Sequence, residues 1–345
     1  MERLDIRALP EDVWQAQLKE WGQPAFRARQ VRDWLDRGVT DFEQMTNLPQ
    51  ALRAQLAAHY SIAHVEIRRR LVSQIDGTVK YLYAMPDGET VESVLMQYKH
   101  GWSQCLSTQA GCRMGCAFCA TGMGGLHRNL TASEMLSQIE VAQQDRDVRV
   151  SSLVLMGMGE PLDNFDEVVR FLQLLSEEGG VHIGMRHISL STCGLVDKIY
   201  QLMEYRFPLT LSISLHAPNN ELRSQLMPVN RRWPVEELLK ACRTYIDTVG
   251  RRISFEYAMM DGVNDSDACA RELVSRLKGM LCHVNLIPAN AVEGKGHHRS
   301  SAARLAAFQG IIEQSGIPVT VRRTLGADIN ASCGQLRREE EQTRS

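Results

Sequence analysis

No apolar run in this sequence approaches the ~20 residues that a membrane-spanning helix needs, and neither sign of charge prevails. Its 39 Lys and Arg stand against 41 Asp and Glu, a formal net charge of −2. Without an overall field, any nucleic-acid binding must come from local patches. "RARQVRDWLDR", "EIRRR", "NRRW" and "VRR" are such patches, although each alone reads as an ordinary solvated face. No secretory leader is expected either, because "MERLDIRALPEDVWQ" mixes both signs from its second residue. No repeat of roughly 20 to 50 residues and no low-complexity block is visible. The expectation is a soluble, cytoplasmic chain that needs no membrane. In that reducing setting nine cysteines, an odd number, make a poor disulfide framework and point to metal ligation or catalysis.

At 345 residues the chain exceeds the roughly 250 to 300 at which a single core usually stops growing, so a large domain with a smaller appendage is expected. The first sixty residues carry apolar groups at helical spacing in "PEDVWQAQLKEW", "AFRARQVRDWLDR" and "LPQALRAQLAAHY". From Ile67 the pattern becomes extended, and "VKYLYAMPDGETVESVLMQY" places an Asp87-Gly88 turn between alternating segments, the signature of a hairpin. Strand-like stretches then alternate with helix-like ones: strands near 103–109, 151–156, 186–191, 209–215, 252–258, 282–287 and 317–322, with a helix after each of the first six. Such alternation builds right-handed βα units around a parallel sheet. The expected division is 1–65 helical accessory domain, 66–100 extended linker with the hairpin, 101–335 main α/β domain and 336–345 charged tail. Six units suit an open doubly wound sheet or an incomplete barrel, and both put the active site at the carboxyl ends of the strands. In "SISLHAPN", Ser212, Ser214 and His216 share one strand face. That implies a polar, occupied cavity, or equally a strand with one solvated side.

Three thiols crowd "TQAGCRMGCAFCATG", which follows the first expected strand of the main domain. Structural zinc wants four ligands, usually as two close pairs, and only His127 is nearby to complete Cys112, Cys116 and Cys119. A redox Cys-x-x-Cys site would leave Cys112 without a purpose. Three thiolates suit a [4Fe-4S] cluster with one iron left open. Gly111, Gly115 and Gly122 would let the loop wrap a bulky group, and Phe118 would shield it. "MGMGEP", Met156 to Pro161, follows the second strand with Glu160 flanked by glycine.

C-x-x-x-C-x-x-C followed by this glycine-flanked glutamate resembles the radical S-adenosylmethionine (SAM) superfamily. The likeness extends along the chain: "FRARQVRDWL", "MPDGETVESVLM", "HRNLT", "MGMGEPLDN", "LSTCG", "SISLHAPN", "LMPVN", "VNLIP" and "DINASCGQL" resemble, in this order, the RlmN family of RNA adenine C2 methyltransferases. The resemblance implies an incomplete (β/α)6 radical SAM barrel with a small N-terminal helical domain. It further implies a [4Fe-4S] cluster on Cys112, Cys116 and Cys119, two SAM molecules per turnover, and SAM contacts from Gly159, Glu160, Ser191, Ser214, Leu215, His216 and Asn290. Cys333 would carry the methyl group, Cys105 would resolve a protein–RNA adduct, and Glu92 would accept a proton. The substrates implied are 23S rRNA and tRNA beside the anticodon, for a monomer served by an electron donor such as flavodoxin or ferredoxin.

A related C8 methyltransferase that confers antibiotic resistance shares the cluster and both cysteines, but typically has alanine where Pro161 stands. A non-catalytic iron-sulfur RNA-binding or redox protein would need neither Cys105 nor Cys333. "IPANAVEGKGHHRSS" departs from the family pattern beside Asn290, and His297 and His298 in that glycine-rich stretch read as solvated.

Overall fold

The computed structural model describes residues 3–176, 181–289, 296–331 and 336–337. The chain opens with a short strand, β1 (Leu4–Asp5), then helices α1 (Glu11–Glu20), α2 (Phe26–Asp36) and α3 (Gln50–His59), and strand β2 (Tyr60–Ser61). Pro10 and Pro49 stand immediately before α1 and α3, where a missing N–H costs nothing. Ala28, Val31 and Leu35 form the buried stripe of α2 and meet Trp14, Leu18, Leu52 and Leu56 in a core of their own. Parallel pairing of Leu4 with Tyr60 ties the start of this unit to its end. No periodic pattern marks two-residue strands, so this pair was invisible in the sequence.

Strands β3 (Glu66–Val72), β4 (Val79–Ala84), β5 (Thr90–Tyr98) and β6 (Gly101–Cys105) run antiparallel to one another. The expected hairpin is β4–β5, turning where Gly88 adopts φ 87°. It is more than a connection: β3 to β5 extend the main sheet without a break, because β6 pairs with β5 on one side and with the first parallel neighbour on the other. A separate small ladder follows, β7 (Gln109–Gly111) against β8 (Leu126–Asn129).

The remaining units are α4 (Ala132–Arg146), β9 (Val150–Leu155), α5 (Phe165–Leu174), β10 (Ile188–Thr192), α6 (Val196–Glu204), β11 (Thr210–Ser214), α7 (Asn220–Leu226), α8 (Val235–Val249), β12 (Ile253–Met259), α9 (Asp267–Leu277), β13 (Cys282–Pro288), α10 (Ala302–Gln314) and β14 (Val319–Val321). Among the described residues the sheet has ten strands in the order β14-β13-β12-β11-β10-β9-β6-β5-β4-β3. Thr131 caps α4 with Glu134 in the reciprocal arrangement that its sequence predicts. Sheet residues from both ends of the parallel run, Ser103, Ser189, Ser212, Ser254 and Asn285 among them, line one cavity of about 270 Å³. A flat sheet could not do this, so the strands curl around a polar lumen as an incomplete (β/α)6 barrel. Of the two readings of the serine face on β11, the cavity-lining one holds.

The strand expected at 103–109 is divided. After Cys105 the backbone leaves the sheet: the Leu106 carbonyl accepts from Gly157, and Thr108 N donates to the Met158 carbonyl. Gln109 then starts β7, the base of the cysteine loop. One continuous strand-like stretch hid two backbone directions.

Candidate active site

The β7–β8 ladder closes the cysteine loop at its neck, where Cys112 N donates to the Gly125 carbonyl at 2.8 Å. Gly111 has φ 82°, and a Cβ there would lie 2.0 Å from that same carbonyl oxygen, so only glycine fits. Beyond the neck, Cys112, Cys116 and Cys119 all line one cavity of about 300 Å³ at the carboxyl ends of the strands. Gly159, Glu160, Ser191, Ser214 and His216 line it too, drawn from the loops and ends of β9, β10 and β11. Leu215 differs: its side chain is fully buried in the core, and its carbonyl accepts from Arg223. Asn290 lies outside the described residues, next to Ala289 in the cavity wall. His297, read as solvated, also lines the cavity, whereas His298 is exposed.

Glu160 is buried, and each of its oxygens already holds a backbone donor, Leu162 N at 3.1 Å and Cys193 N at 2.7 Å. Burial raises its pKa, against the lowering effect of these bonds. A carboxylate has acceptor sites left after two such bonds, enough for an ammonium group. Its own N–H donates to Gln109 Oε1 at 2.8 Å, so the cysteine-loop ladder and the glutamate loop are set against each other. Close approach at this junction is why "MGMGEP" has glycines: a Cβ on Gly159 would meet Gln109 N at 2.8 Å. His216 is buried, with burial and then Arg223 pushing its pKa down to about 3. Its Nδ1 accepts from Ala258 N at 3.0 Å, so the neutral ring carries its proton on Nε2. Phe118 meets that ring edge-on, the centroids 4.9 Å apart.

Cys105 is buried at the end of β6 and lines a second cavity of about 220 Å³ with Met96, Tyr98, Arg323 and Ala331. Met156, Ile287 and Arg322 line both this cavity and the three-cysteine one. The two spaces are therefore neighbours through a common wall. Cys333 lies outside the described residues; on either side of it, Ala331 lines the Cys105 cavity and Arg337 N donates to Glu92 Oε1 at 2.7 Å. Glu92 is fully buried, its other oxygen 3.1 Å from Lys80 Nζ. Lys80 Nζ also donates to the Asn330 carbonyl at 2.9 Å. Sequence reasoning missed Lys80, although a lysine amid "VKYLYA" was a visible break in an apolar strand. It also missed the buried Arg223, and Arg322 drew notice only within the "VRR" patch, not as a cavity-lining residue.

Two parts of the chain match known family models: residues 6–62 match the ribosomal RNA large subunit methyltransferase N-terminal domain, and residues 106–271 match the radical SAM superfamily. A probable dual-specificity RNA methyltransferase RlmN of Alkaliphilus oremlandii is 50% identical over 98% of this chain and 99% of its own. The protein of the same name from Caldanaerobacter subterraneus subsp. tengcongensis is 52% identical over 92% of this chain and 93% of its own. The chain belongs to the RlmN family of dual-specificity RNA methyltransferases. A solved radical SAM methyltransferase from Sphaerobacter thermophilus superposes with a TM-score of 0.90 at 44% identity, covering 96% of this chain and 98% of that one. The RlmN fold, a radical SAM barrel preceded by the family's N-terminal domain, is thus the fold described above.

Membership of RlmN implies a [4Fe-4S] cluster, SAM and an RNA substrate, and the cavity fits such a cluster. Three thiols around one cavity suit a cluster, in which each thiolate takes a different iron. Burial pushes the Cys112 thiol up to about 12 and raises Cys116 as well, so these thiols lose their protons when a metal replaces them. His127, the fourth zinc ligand that the sequence offered, is not part of the cavity wall, and its Nδ1 is 3.0 Å from Glu89 Oε1. Among the described residues no helix is long and apolar enough to cross a membrane.

Proposed function

We propose that this RNA methyltransferase methylates C2 of adenine in 23S rRNA and in tRNA next to the anticodon, using Cys333 as methyl carrier and Cys105 as resolving thiol. One observation carries the reading. Cys105 lies in a cavity that shares Met156, Ile287 and Arg322 with the cavity of the three cysteines, so a radical made in one space has a thiol chemistry waiting in the next.

Adenine C2 is electron-poor and its C–H is hardly acidic, so direct attack on a SAM methyl is closed to it. Cys333 first takes a methyl from one SAM by displacement. The cluster, when bound, supplies the electron that cleaves a second SAM into methionine and a 5′-deoxyadenosyl radical. The Cys333 methylthioether gives a hydrogen to that radical, and its carbon joins the ring. The electron that the adduct radical gives up would return to the oxidised cluster, and Glu92 receives the C2 proton with Lys80 as its counter-charge. The Cys105 thiolate then attacks the Cys333 sulfur, the freed carbon takes up a proton, and methyladenine leaves a Cys105–Cys333 disulfide behind.

Cys112, Cys116 and Cys119 hold the cluster in this reading. Gly159, Glu160, Ser191, Ser214, His216 and the backbone at Leu215 contact SAM, with Asn290 beyond the described residues. Residues 1–65 serve as an RNA-binding unit and 101–335 as the catalytic unit, to whose sheet 66–100 add β3 to β5, while Leu336 and Arg337, expected in a 336–345 tail, are buried. The exposed arginines Arg68, Arg69 and Arg70 on edge strand β3 and Arg29 on α2 support a phosphate-binding role for this end. A flavodoxin- or ferredoxin-like protein is the electron donor, and the enzyme works as a cytoplasmic monomer. The test is nucleoside mass spectrometry of rRNA and tRNA treated with reconstituted enzyme. 2-Methyladenosine in both is expected; 8-methyladenosine, or no methyladenosine in either, would reject the assignment.

A further inference from the structure

Arg223 on α7 is fully buried, and no carboxylate among the described residues pairs with it. Its Nε donates to the Leu215 carbonyl at 3.1 Å and its Nη1 to Asn230 Oδ1 at 3.1 Å. Its Nη2 donates to the carbonyls of Cys193 at 2.6 Å and Ser214 at 3.2 Å. All four acceptors are neutral. A buried guanidinium normally needs an anion, since hydrogen bonds alone do not replace the water it gives up. Something negative must therefore complete this site.

The surroundings say what it is. Helix α7 lies against the cysteine loop, where Ala117 N donates to the Leu226 carbonyl at 2.8 Å. Cys193 and Ser214, whose carbonyls accept from Arg223 Nη2, line the cavity of the three cysteines. A [4Fe-4S]²⁺ core with three thiolates carries a net charge of −1, and reduction adds a further electron.

We propose that Arg223 is the built-in counter-cation of the cluster, stabilising the thiolate-ligated form and, more strongly, its one-electron-reduced state. The proposal rests on the reading that Cys112, Cys116 and Cys119 hold a [4Fe-4S] cluster. It assigns Arg223 a task beyond clamping the loops after β10 and β11. As a positioning residue it works through charge, so its removal must shift the cluster's reduction potential and not merely loosen SAM.

The test is a mediator titration of the reconstituted full-length enzyme without SAM, following the reduced cluster by electron paramagnetic resonance. Arg223→Met removes the charge at similar volume, Arg223→Lys keeps it, and Asn230→Asp leaves Arg223 in place while putting a carboxylate against it. Arg223→Met and Asn230→Asp should each make reduction at least tenfold less favourable, a shift of about 59 mV or more to lower potential. Arg223→Lys should stay within threefold of the parent. If Arg223→Met fails to fold, the Asn230→Asp comparison decides alone. Parent-like potentials in cluster-loaded Arg223→Met or Asn230→Asp would overturn the proposal, reducing Arg223 to a structural clamp. A parent enzyme that binds no iron and sulfide would instead overturn the cluster reading beneath it, a failure visible before any potential is measured.

Discussion

At the residue scale, the cysteine loop shows how chemistry can be legible while its support is not. The spacing of Cys112, Cys116 and Cys119 named a cluster because three thiols need a reason to be close, and in the structure all three line one cavity. Replacing any one by alanine should leave the enzyme unable to retain a full cluster, which iron and sulfide analysis and SAM cleavage would reveal. Glu92 is the opposite case. Nothing local in "VESVLM" distinguishes a surface carboxylate from one buried against Lys80, because the partner comes from the neighbouring strand β4. Glu256 was likewise silent, yet it is buried between the cavities, accepting from Ser254 Oγ at 2.8 Å and Asn285 Nδ2 at 2.6 Å. Burial raises its pKa above the ordinary value of 4.5. The folded state therefore keeps this proton to higher pH than the unfolded chain, and stability is lost as pH rises through that window. Glu256→Gln should raise Tm at about pH 8, by roughly 2–4 °C for each kcal/mol relieved, and change little at about pH 4.

At the element scale, long periodic segments were readable and junctions were not. α2 and the parallel strands β9 to β13 declare themselves by period, and α4 by its capping box. The turn after Cys105, the β7–β8 ladder and helix α7 depend on backbone partners far along the chain, such as Met158 for Thr108 and Leu226 for Ala117. The seam between the N-terminal helices and α4 is another such junction. Arg7 Nη1 meets Glu140 Oε2 at 2.5 Å in a largely buried pair, and Arg7 also donates to the Leu35 carbonyl. Arg170 reaches across from α5 to the carbonyls of Ala8 and Leu9, both at 3.0 Å. Glu140→Ala would leave the Arg7 charge buried without its partner, a loss of about 3–5 kcal/mol at the seam. Limited proteolysis should then release the N-terminal unit faster, and RNA binding should weaken more than SAM cleavage. Equal protection of the variant and the parent would mean that the seam does not depend on this pair.

At the scale of the whole molecule, the curled sheet brings together what the sequence keeps apart. Cys105 and Ala331 are separated by more than two hundred positions, yet they line one cavity, and that cavity shares a wall with the one around the cysteine loop. In the proposed mechanism Cys105 and Cys333 have different tasks and hence different failures. The most direct measurement is denaturing electrophoresis of reconstituted Cys105→Ala, Cys333→Ala and double-variant enzymes after reaction with RNA. Cys105→Ala should trap a denaturation-resistant, nuclease-sensitive protein–RNA band, while Cys333→Ala and the double variant should show none. Normal turnover by Cys105→Ala with no trapped adduct would contradict the account.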